Sequence, residues 1–212
     1  MTKQTSMDLW EWERSAWAAG HTAVCGVDEA GAGPLAGPVY AAAVILPEGL
    51  ALPWLNDSKQ VTARRRAILF DQIRQRALAW SVASLPAEEI DRLDILNARI
   101  RAMQLAIDGL SPAADFALID GNRDHGSRCA VVTPHVTVVR GDSRSASVAA
   151  ASILAKVSRD RYMEEMAAKY PQYGFDRHKG YGTRDHYAAL DAWGPCPIHR
   201  RSFLKKWEAG RG

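Results

Sequence analysis

At 212 residues, 47% of them hydrophobic and 24% charged, the chain is long enough to bury the core of one domain with a small appendage, and an ordinary soluble globular protein is expected. Three scattered cysteines, Cys25, Cys129 and Cys196, exclude a disulfide framework and read as reduced thiols, while a formal charge of +3 names no partner by itself. No apolar run approaches the roughly 18 residues of a membrane span, and residues 1–8 lack the charged-then-apolar pattern of a signal, so a cytoplasmic protein with no membrane partner is expected.

Residues 7–19 carry Trp10, Trp12 and Trp17 among acidic neighbours, which predicts a short N-terminal helix packing aromatics on the body. Residues 24–27 read as a buried strand that stops at Asp28-Glu29 and a loop dense in Gly and Pro. Residues 39–46, bounded by Pro38 and Pro47, form a second strand, suited to antiparallel pairing with the first. A polar turn at 56–60 leads to a helix over 62–78, capped by Thr62, and then to a strand over 80–85. Helical pattern resumes after Pro86 and runs over 95–110. Short strands over 116–119 and 135–140 end in Asp120-Gly121 and Gly141-Asp142. The longest helical pattern spans 143–169, with small Ala149, Ala150 and Ala151 permitting close approach to a sheet. A Gly- and aromatic-rich loop over 171–183, a short helix over 186–193 and a basic tail follow. Strands separated by helices predict a mixed α/β sheet.

Three apolar strands therefore end at a carboxylate beside a glycine or a glycine-rich turn. Open α/β sheets place their sites at the carboxyl ends of strands, so Asp28, Glu29, Asp120 and Asp142 can converge although distant in sequence. Like charges in one site force protons onto some of them unless a cation compensates. Oxygen ligands without paired Cys or His favour Mg²⁺ or Mn²⁺, and two such ions about 3.5–4 Å apart would activate a water and stabilise the leaving oxygen of a phosphodiester. Taken singly, Asp120 and Asp142 fit turn or helix-cap positions equally well, and Asp28-Glu29 fit a solvated strand end. Neighbours on a regular strand also face opposite ways, so both Asp28 and Glu29 reach one ion only if the strand becomes irregular there. Gly31-Ala32-Gly33-Pro34-Leu35-Ala36-Gly37 is one residue off the dinucleotide fingerprint, and no Gly-Lys-Ser/Thr accompanies it. Cys196-x-x-His199 is half a zinc site without its other half. His125, His178 and His186 read as loop or surface histidines. Two basic clusters, one around Arg64-Arg65-Arg66 and one over His199, Arg200, Arg201, Lys205 and Lys206, fit either a solvated face or a polyanion contact.

The chain resembles bacterial ribonuclease HII, the type 2 ribonuclease H, over roughly residues 20–204. The blocks that carry the resemblance are Asp28-Glu29-Ala30-Gly31-x-Gly33-Pro34-Leu35-Ala36-Gly37-Pro38, Asp57-Ser58-Lys59, Asp120-Gly121-Asn122, Gly141-Asp142-Ser143, the 149–157 segment, His178-Lys179-Gly180-Tyr181-Gly182-Thr183 and His199-Arg200-Arg201-Ser202-Phe203. The resemblance implies a ribonuclease H-like fold, a central mixed sheet flanked by helices with a C-terminal helical extension. Its expected divisions are a helical segment over 1–20, a catalytic domain over 21–170 and a substrate-binding extension over 171–212. It implies an endonuclease that cuts the RNA strand of RNA/DNA hybrids and nicks 5′ of single ribonucleotides in duplex DNA, leaving 3′-hydroxyl and 5′-phosphate ends. Asp28, Glu29, Asp120 and Asp142 are implied as metal-binding catalytic residues for Mn²⁺ or Mg²⁺. Gly31, Ala32, Gly33, Ser58, Lys59, Asn122, Lys179, Tyr181, Arg200 and Arg201 are implied to meet substrate, with Lys59 on a phosphate and Tyr181 against the sugar at the RNA-to-DNA junction. A monomer is expected. Family members commonly carry Gly-Arg-Gly where this chain has Gly31-Ala32-Gly33, so recognition here falls to the main chain. A non-catalytic hybrid-binding module is the alternative, which gives no reason for four carboxylates beside a phosphate.

Overall fold

The computed structural model describes residues 8–55 and 61–210. Strands β1 (Val24–Ala30), β2 (Val39–Ile45), β3 (Ala79–Leu85), β4 (Phe116–Asp120) and β5 (His135–Val138) form one sheet in the order β3-β2-β1-β4-β5. β2 is antiparallel to both β1 and β3, whereas β4 is parallel to β1 and β5. The carboxyl ends of β1, β4 and β5 therefore share one rim, the place where an open α/β sheet exposes its site.

Side-chain alternation sorts the rim residues by face. Cys25 and Val27 of β1 and Ala117 and Ile119 of β4 pack with α4 (Ile95–Asp108) on one side. Val24 and Leu118 pack on the other side with Val148 of α5 (Ala146–Lys169). The same period puts Asp28 and Asp120 on the α5 face and Glu29 on the α4 face. β1 keeps regular pairing through Asp28, Glu29 and Ala30, opposite Ala42, Ala41 and Tyr40. The irregular strand end that two convergent neighbours would require is thus absent.

Helix α5 lies close on β1 because Gly26 has no side chain. A Cβ there would stand 2.1 Å from the Ser147 carbonyl carbon and the Val148 nitrogen. The start of α5 is held by Ser145, whose side chain accepts the Val148 N–H at 3.2 Å, and by Glu13 of α1 (Glu11–Ala18). Glu13 is buried, and its Oε1 accepts from Ser145 Oγ at 2.6 Å, Ser147 N at 2.9 Å and Ser147 Oγ at 2.6 Å. A carboxylate at a helix N-terminus meets unpaired amides and the positive end of the dipole. Trp12 and Trp17 pack on the β1–β4 face as predicted for the N-terminal helix, but the capping role of Glu13 left no mark in the pattern.

Thr62 caps α2 (Ala63–Arg76) as predicted, accepting the Arg65 N–H at 3.3 Å. The helical pattern after Pro86 resolves into α3 (Ala87–Leu93) and α4. The Gly- and aromatic-rich loop contains a one-turn helix, α6 (Phe175–His178), ahead of α7 (Arg184–Trp193) and α8 (Arg201–Ala209). A separate apolar cluster joins Phe175, Leu190 and Leu204 of this region to Leu35 and Ala36 of the Gly-rich loop and Met163 of α5. Burying each large apolar side chain there stabilises by roughly 1.5–3 kcal/mol, enough to lock the loop to the C-terminal helices. Among the described residues no helix is long and apolar enough to cross a membrane.

Candidate active site

Asp28 and Asp142 are buried at the rim, Asp28 on β1 and Asp142 in a single 3-10 turn, Gly141–Ser143, that leads into α5. Asp120 ends β4, where its Oδ1 accepts the Gly141 N–H at 2.6 Å and so ties the β4 end to that turn. Asp28 Oδ1 accepts the Glu29 N–H at 2.7 Å. On the other face, Glu29 Oε1 pairs with Arg99 of α4 at 3.0 Å. Burial, then the charges of Glu29, Asp120 and Asp142, push the Asp28 carboxyl well above the usual carboxylate range. Glu29 is raised too, first by burial; the Arg99 guanidinium opposes this and Asp120 adds to it.

The four carboxylates thus share one electrostatic field. They do not yet share a point: among the described residues no three His, Cys, Asp or Glu side chains are grouped to hold a metal ion. A hard divalent cation nevertheless fits the donors, which are all carboxylate oxygens and include one carboxyl that its neighbours resist ionising.

These residues open onto a cleft of about 360 Å³ whose lining includes Asp28, Glu29, Gly31 and Asp142 together with Arg66, Lys156, Arg159 and Tyr181. Ser152, Lys156 and Arg159 recur at four- and three-residue spacing, so they form one polar face of α5. Lys156 is paired with Asp160 at 2.7 Å. Tyr181 is 47% exposed, with the Arg159 guanidinium 6.0 Å from its ring centre.

Two buried arginines, Arg159 at the cleft and Arg200, hold the Gly-rich loop. Arg159 donates from Nε to Pro38 O at 3.1 Å, from Nη1 to Lys179 O at 3.0 Å and from Nη2 to Ala36 O at 3.1 Å. Arg200 donates from Nε to Gly37 O at 2.9 Å, from Nη1 to Ala32 O at 2.9 Å and from Nη2 to Gly31 O at 2.6 Å. Burial, with the Arg159 charge beside it, pulls the Arg200 guanidinium down to about 9, which leaves it charged at neutral pH. Gly31 has φ +93°, and a Cβ on it would lie 2.1 Å from Arg159 Nε, so both backbone and space demand glycine.

The Tyr181 loop is backed by a histidine relay. His186 Nδ1 lies 2.9 Å from the Tyr181 carbonyl, which can only accept, so the ring donates there and its Nε2 accepts from His199 Nε2–H at 2.9 Å. His199 Nδ1 then accepts the Cys196 N–H at 2.9 Å. Burial pulls both rings down to about 4, so both are neutral at pH 7.

Residues 25–206 match the family described as Ribonuclease HII. The chain belongs to the ribonuclease HII family. It is 50% identical over 195 residues to the ribonuclease HII of Ruminiclostridium cellulolyticum, covering 92% of this chain and 75% of the relative. Identity to that of Dechloromonas aromatica is 55% over 181 residues, covering 85% and 90%. The ribonuclease H2 crystal structure from Pyrococcus horikoshii superposes with a TM-score of 0.71 at 25% identity, covering 90% of this chain and 96% of that one. Bst ribonuclease HIII, crystallised in complex with Mn²⁺, shares the fold at a TM-score of 0.65 and 18% identity, covering 93% and 72%. The protein is therefore a type 2 ribonuclease H, an endoribonuclease with a ribonuclease H-like fold, and the non-catalytic alternative falls away.

Set against this family, the residues singled out in the sequence divide into groups. Asp28, Glu29, Asp142, Gly31 and Tyr181 line or border one cleft, and Asp120 stands at the neighbouring strand end. Gly33 is exposed, with its Cβ position 3.7 Å from Tyr181 Cε1. Asn122 and Arg201 are exposed on the surface. Lys179 is paired with Glu164 at 2.8 Å. Ser58 and Lys59 lie outside the described residues. Arg200 and His199, read as part of a basic tail, are buried, so a direct phosphate contact does not fit Arg200. His186, read as a loop or surface residue, is fully buried. Sequence reading missed Arg99, Lys156 and Arg159. Lys156 and Arg159, within one helical turn past the small and apolar 148–155 stretch of α5, were a usable signal, whereas nothing local set Arg99 apart.

Proposed function

We propose that the enzyme hydrolyses the RNA strand of RNA/DNA hybrids and nicks duplex DNA 5′ of single ribonucleotides, leaving 3′-hydroxyl and 5′-phosphate ends, as a cytoplasmic monomer. The observation that carries this reading is that one cleft joins the acidic strand ends to the Gly31 turn and the exposed Tyr181 ring. In it Asp28, Glu29, Asp120 and Asp142 hold two divalent ions, Mg²⁺ or Mn²⁺, between them, so that Asp28 and Glu29 need not reach the same one; the Mn²⁺ complex of the distant ribonuclease HIII supports a divalent cation. When bound, the cation supplies a nucleophilic water and charge stabilisation at the phosphate. The chain's own residues do the rest. Arg99 steadies Glu29, and the Gly141 amide steadies Asp120.

The main chain at residues 31–33 approaches the 2′-hydroxyl, the group that distinguishes RNA from DNA. Tyr181 packs on the next sugar, which lacks that hydroxyl. Lys156 and Arg66 face the phosphates across the cleft, with Asn122, Lys179, Arg201 and, on the segment beyond the described residues, Ser58 and Lys59 supplying outer contacts. Such phosphate contacts make binding salt-dependent.

The test uses three duplexes with Mg²⁺ or Mn²⁺: one with a single ribonucleotide, one full hybrid and one all-DNA control. Cleavage of the first two, with the nick 5′ of the ribonucleotide, is expected. An intact single-ribonucleotide duplex beside a cut hybrid would remove the nicking activity from the reading, and cleavage of the all-DNA control would remove its 2′-hydroxyl dependence.

A further inference from the structure

We propose that Arg200 is a positioning residue for ribonucleotide discrimination: from behind the Gly-rich loop it sets the peptide planes that turn the amides of Ala32 and Gly33 toward the substrate side. This inference rests on the reading of residues 31–33 as the 2′-hydroxyl reader.

The geometry follows from the planarity of the peptide bond. In a trans peptide the C=O of one residue and the N–H of the next point in opposite directions. Arg200 Nη2 holds the Gly31 carbonyl at 2.6 Å and Nη1 holds the Ala32 carbonyl at 2.9 Å. The N–H groups of Ala32 and Gly33 therefore point away from the buried guanidinium; Gly31 lines the cleft beside Tyr181, and the Gly33 Cβ position lies 3.7 Å from the Tyr181 ring. Two successive amides presented together form a concavity suited to an oxygen. Among the described residues neither amide has a backbone acceptor, whereas those of Leu35 and Gly37 are bonded to Gly180 O and Ile198 O at 2.8 Å each.

Several features fit a fixed support better than a chance burial. Arg200 is fully buried, and each of its three nitrogens meets a main-chain oxygen. A rigid planar fork can hold two adjacent carbonyls in one plane, which the single ammonium of a lysine cannot. The support is itself anchored on both sides. Arg200 N donates to Leu35 O at 2.9 Å, and Asp91 of α3 accepts the N–H groups of Arg201 at 2.8 Å and Ser202 at 2.9 Å. Arg159 holds the far end of the same loop at Ala36 and Pro38. Ala32 has no long side chain to contribute, so the orientation of its peptide comes from this rear contact.

The experiment measures binding without turnover, by fluorescence anisotropy in the absence of divalent cation, to a duplex with one ribonucleotide and to its all-deoxy twin. Loss of a charged hydrogen bond to the loop predicts that Arg200→Lys lowers the ribo-over-deoxy preference about tenfold while affinity for the all-deoxy duplex changes less than about twofold. Hydrogen exchange should rise in the peptide spanning residues 30–38 and stay unchanged in β4. If Arg200→Lys does not fold, Asp91→Asn, which loosens the 201–202 anchor and keeps the arginine, has to lower the same preference. An unchanged preference in the variant that folds overturns the proposal. A wild-type protein with no preference for the ribonucleotide overturns instead the reading of residues 31–33 on which it rests.

Discussion

The acidic rim and the arginine pair behind the Gly-rich loop are both clusters of like charge removed from water, and they are compensated in opposite ways. Asp28 sits in the fields of Glu29, Asp120 and Asp142, while the Arg99–Glu29 contact brings an opposite charge to the neighbouring carboxylate. Its carboxyl is raised because ionisation there is unfavourable. Burial lowers both Arg159 and Arg200, and the Arg159 charge lowers Arg200 further, yet six carbonyls take up their donors, so the pair is satisfied by the chain's own backbone. On the proposed reading a bound cation completes the first cluster, whereas backbone carbonyls complete the second at folding. One is built for a reaction and the other for holding a shape.

The sharpest way to break this contrast is at Asp28. Replacement by Asn removes a charge that the folded protein resists and that the proposed cations require. Activity on a hybrid should fall by about 10³-fold or more. Stability without divalent cation should rise by about 1 kcal/mol, a gain of roughly 2–4 °C in Tm for a chain this size. Calorimetry with and without Mg²⁺ checks both signs, and a drop in the cation-free Tm would mean that Asp28 is satisfied by the fold alone. No comparable gain is available on the arginine side, where removing a donor leaves buried carbonyls unpaired at a cost of about 1–3 kcal/mol each.

The pH response separates the two regions further. His186 and His199 are neutral in the fold, pulled down to about 4, whereas an unfolded histidine titrates near 6.5. Between those values the unfolded chain binds more protons, so stability is full above about pH 6.5 and falls as pH drops toward 4. The loss approaches roughly 3 kcal/mol for each ring that must charge. Denaturant midpoints between pH 4 and 7 measure it, and His199→Gln should flatten the slope. Because the relay ends on the Tyr181 carbonyl, fluorescence of Trp207 and Trp193 near the same helices should change before that of the N-terminal tryptophans.

The two regions also differ in how much of them can be read before folding. Each rim carboxylate closes an apolar run and meets a glycine or a tight turn, a local grammar that survives without any tertiary knowledge. The shared rim follows from it, because strands that run parallel bring their carboxyl ends to one side of the sheet. What is invisible locally is the face: regular pairing through Ala30 sends Glu29 toward Arg99, and only the packed sheet shows it. The arginine pair is harder still. Arg200 sits in a run with Arg201, Lys205 and Lys206, where a basic residue ordinarily faces solvent, and its partners are carbonyls some 160 or more residues away. Carbonyls exist at every position, so no residue type advertises them as acceptors. His186 was hidden for the same reason, since its partners are one carbonyl and another ring.

Ala32 offers the smallest effect and the finest test of the comparison. An arginine at this position would add a mobile cation at the border of the cleft without changing either carbonyl that Arg200 holds. If the charge serves only to hold phosphate, Ala32→Arg should tighten binding of every duplex by about threefold at low salt and steepen the dependence of log K on log salt by about one contact. The preference for a ribonucleotide over its deoxy twin should stay within about twofold of the parent, because peptide orientation and not the side chain at 32 sets it. A preference that rises in step with affinity would assign the reading to the side chain, and the rear support by Arg200 would then be a matter of stability alone. The parallel titration of Ala32→Arg and Arg200→Lys on the same two duplexes separates these outcomes, since one variant adds charge at the front of the loop and the other alters its support from behind.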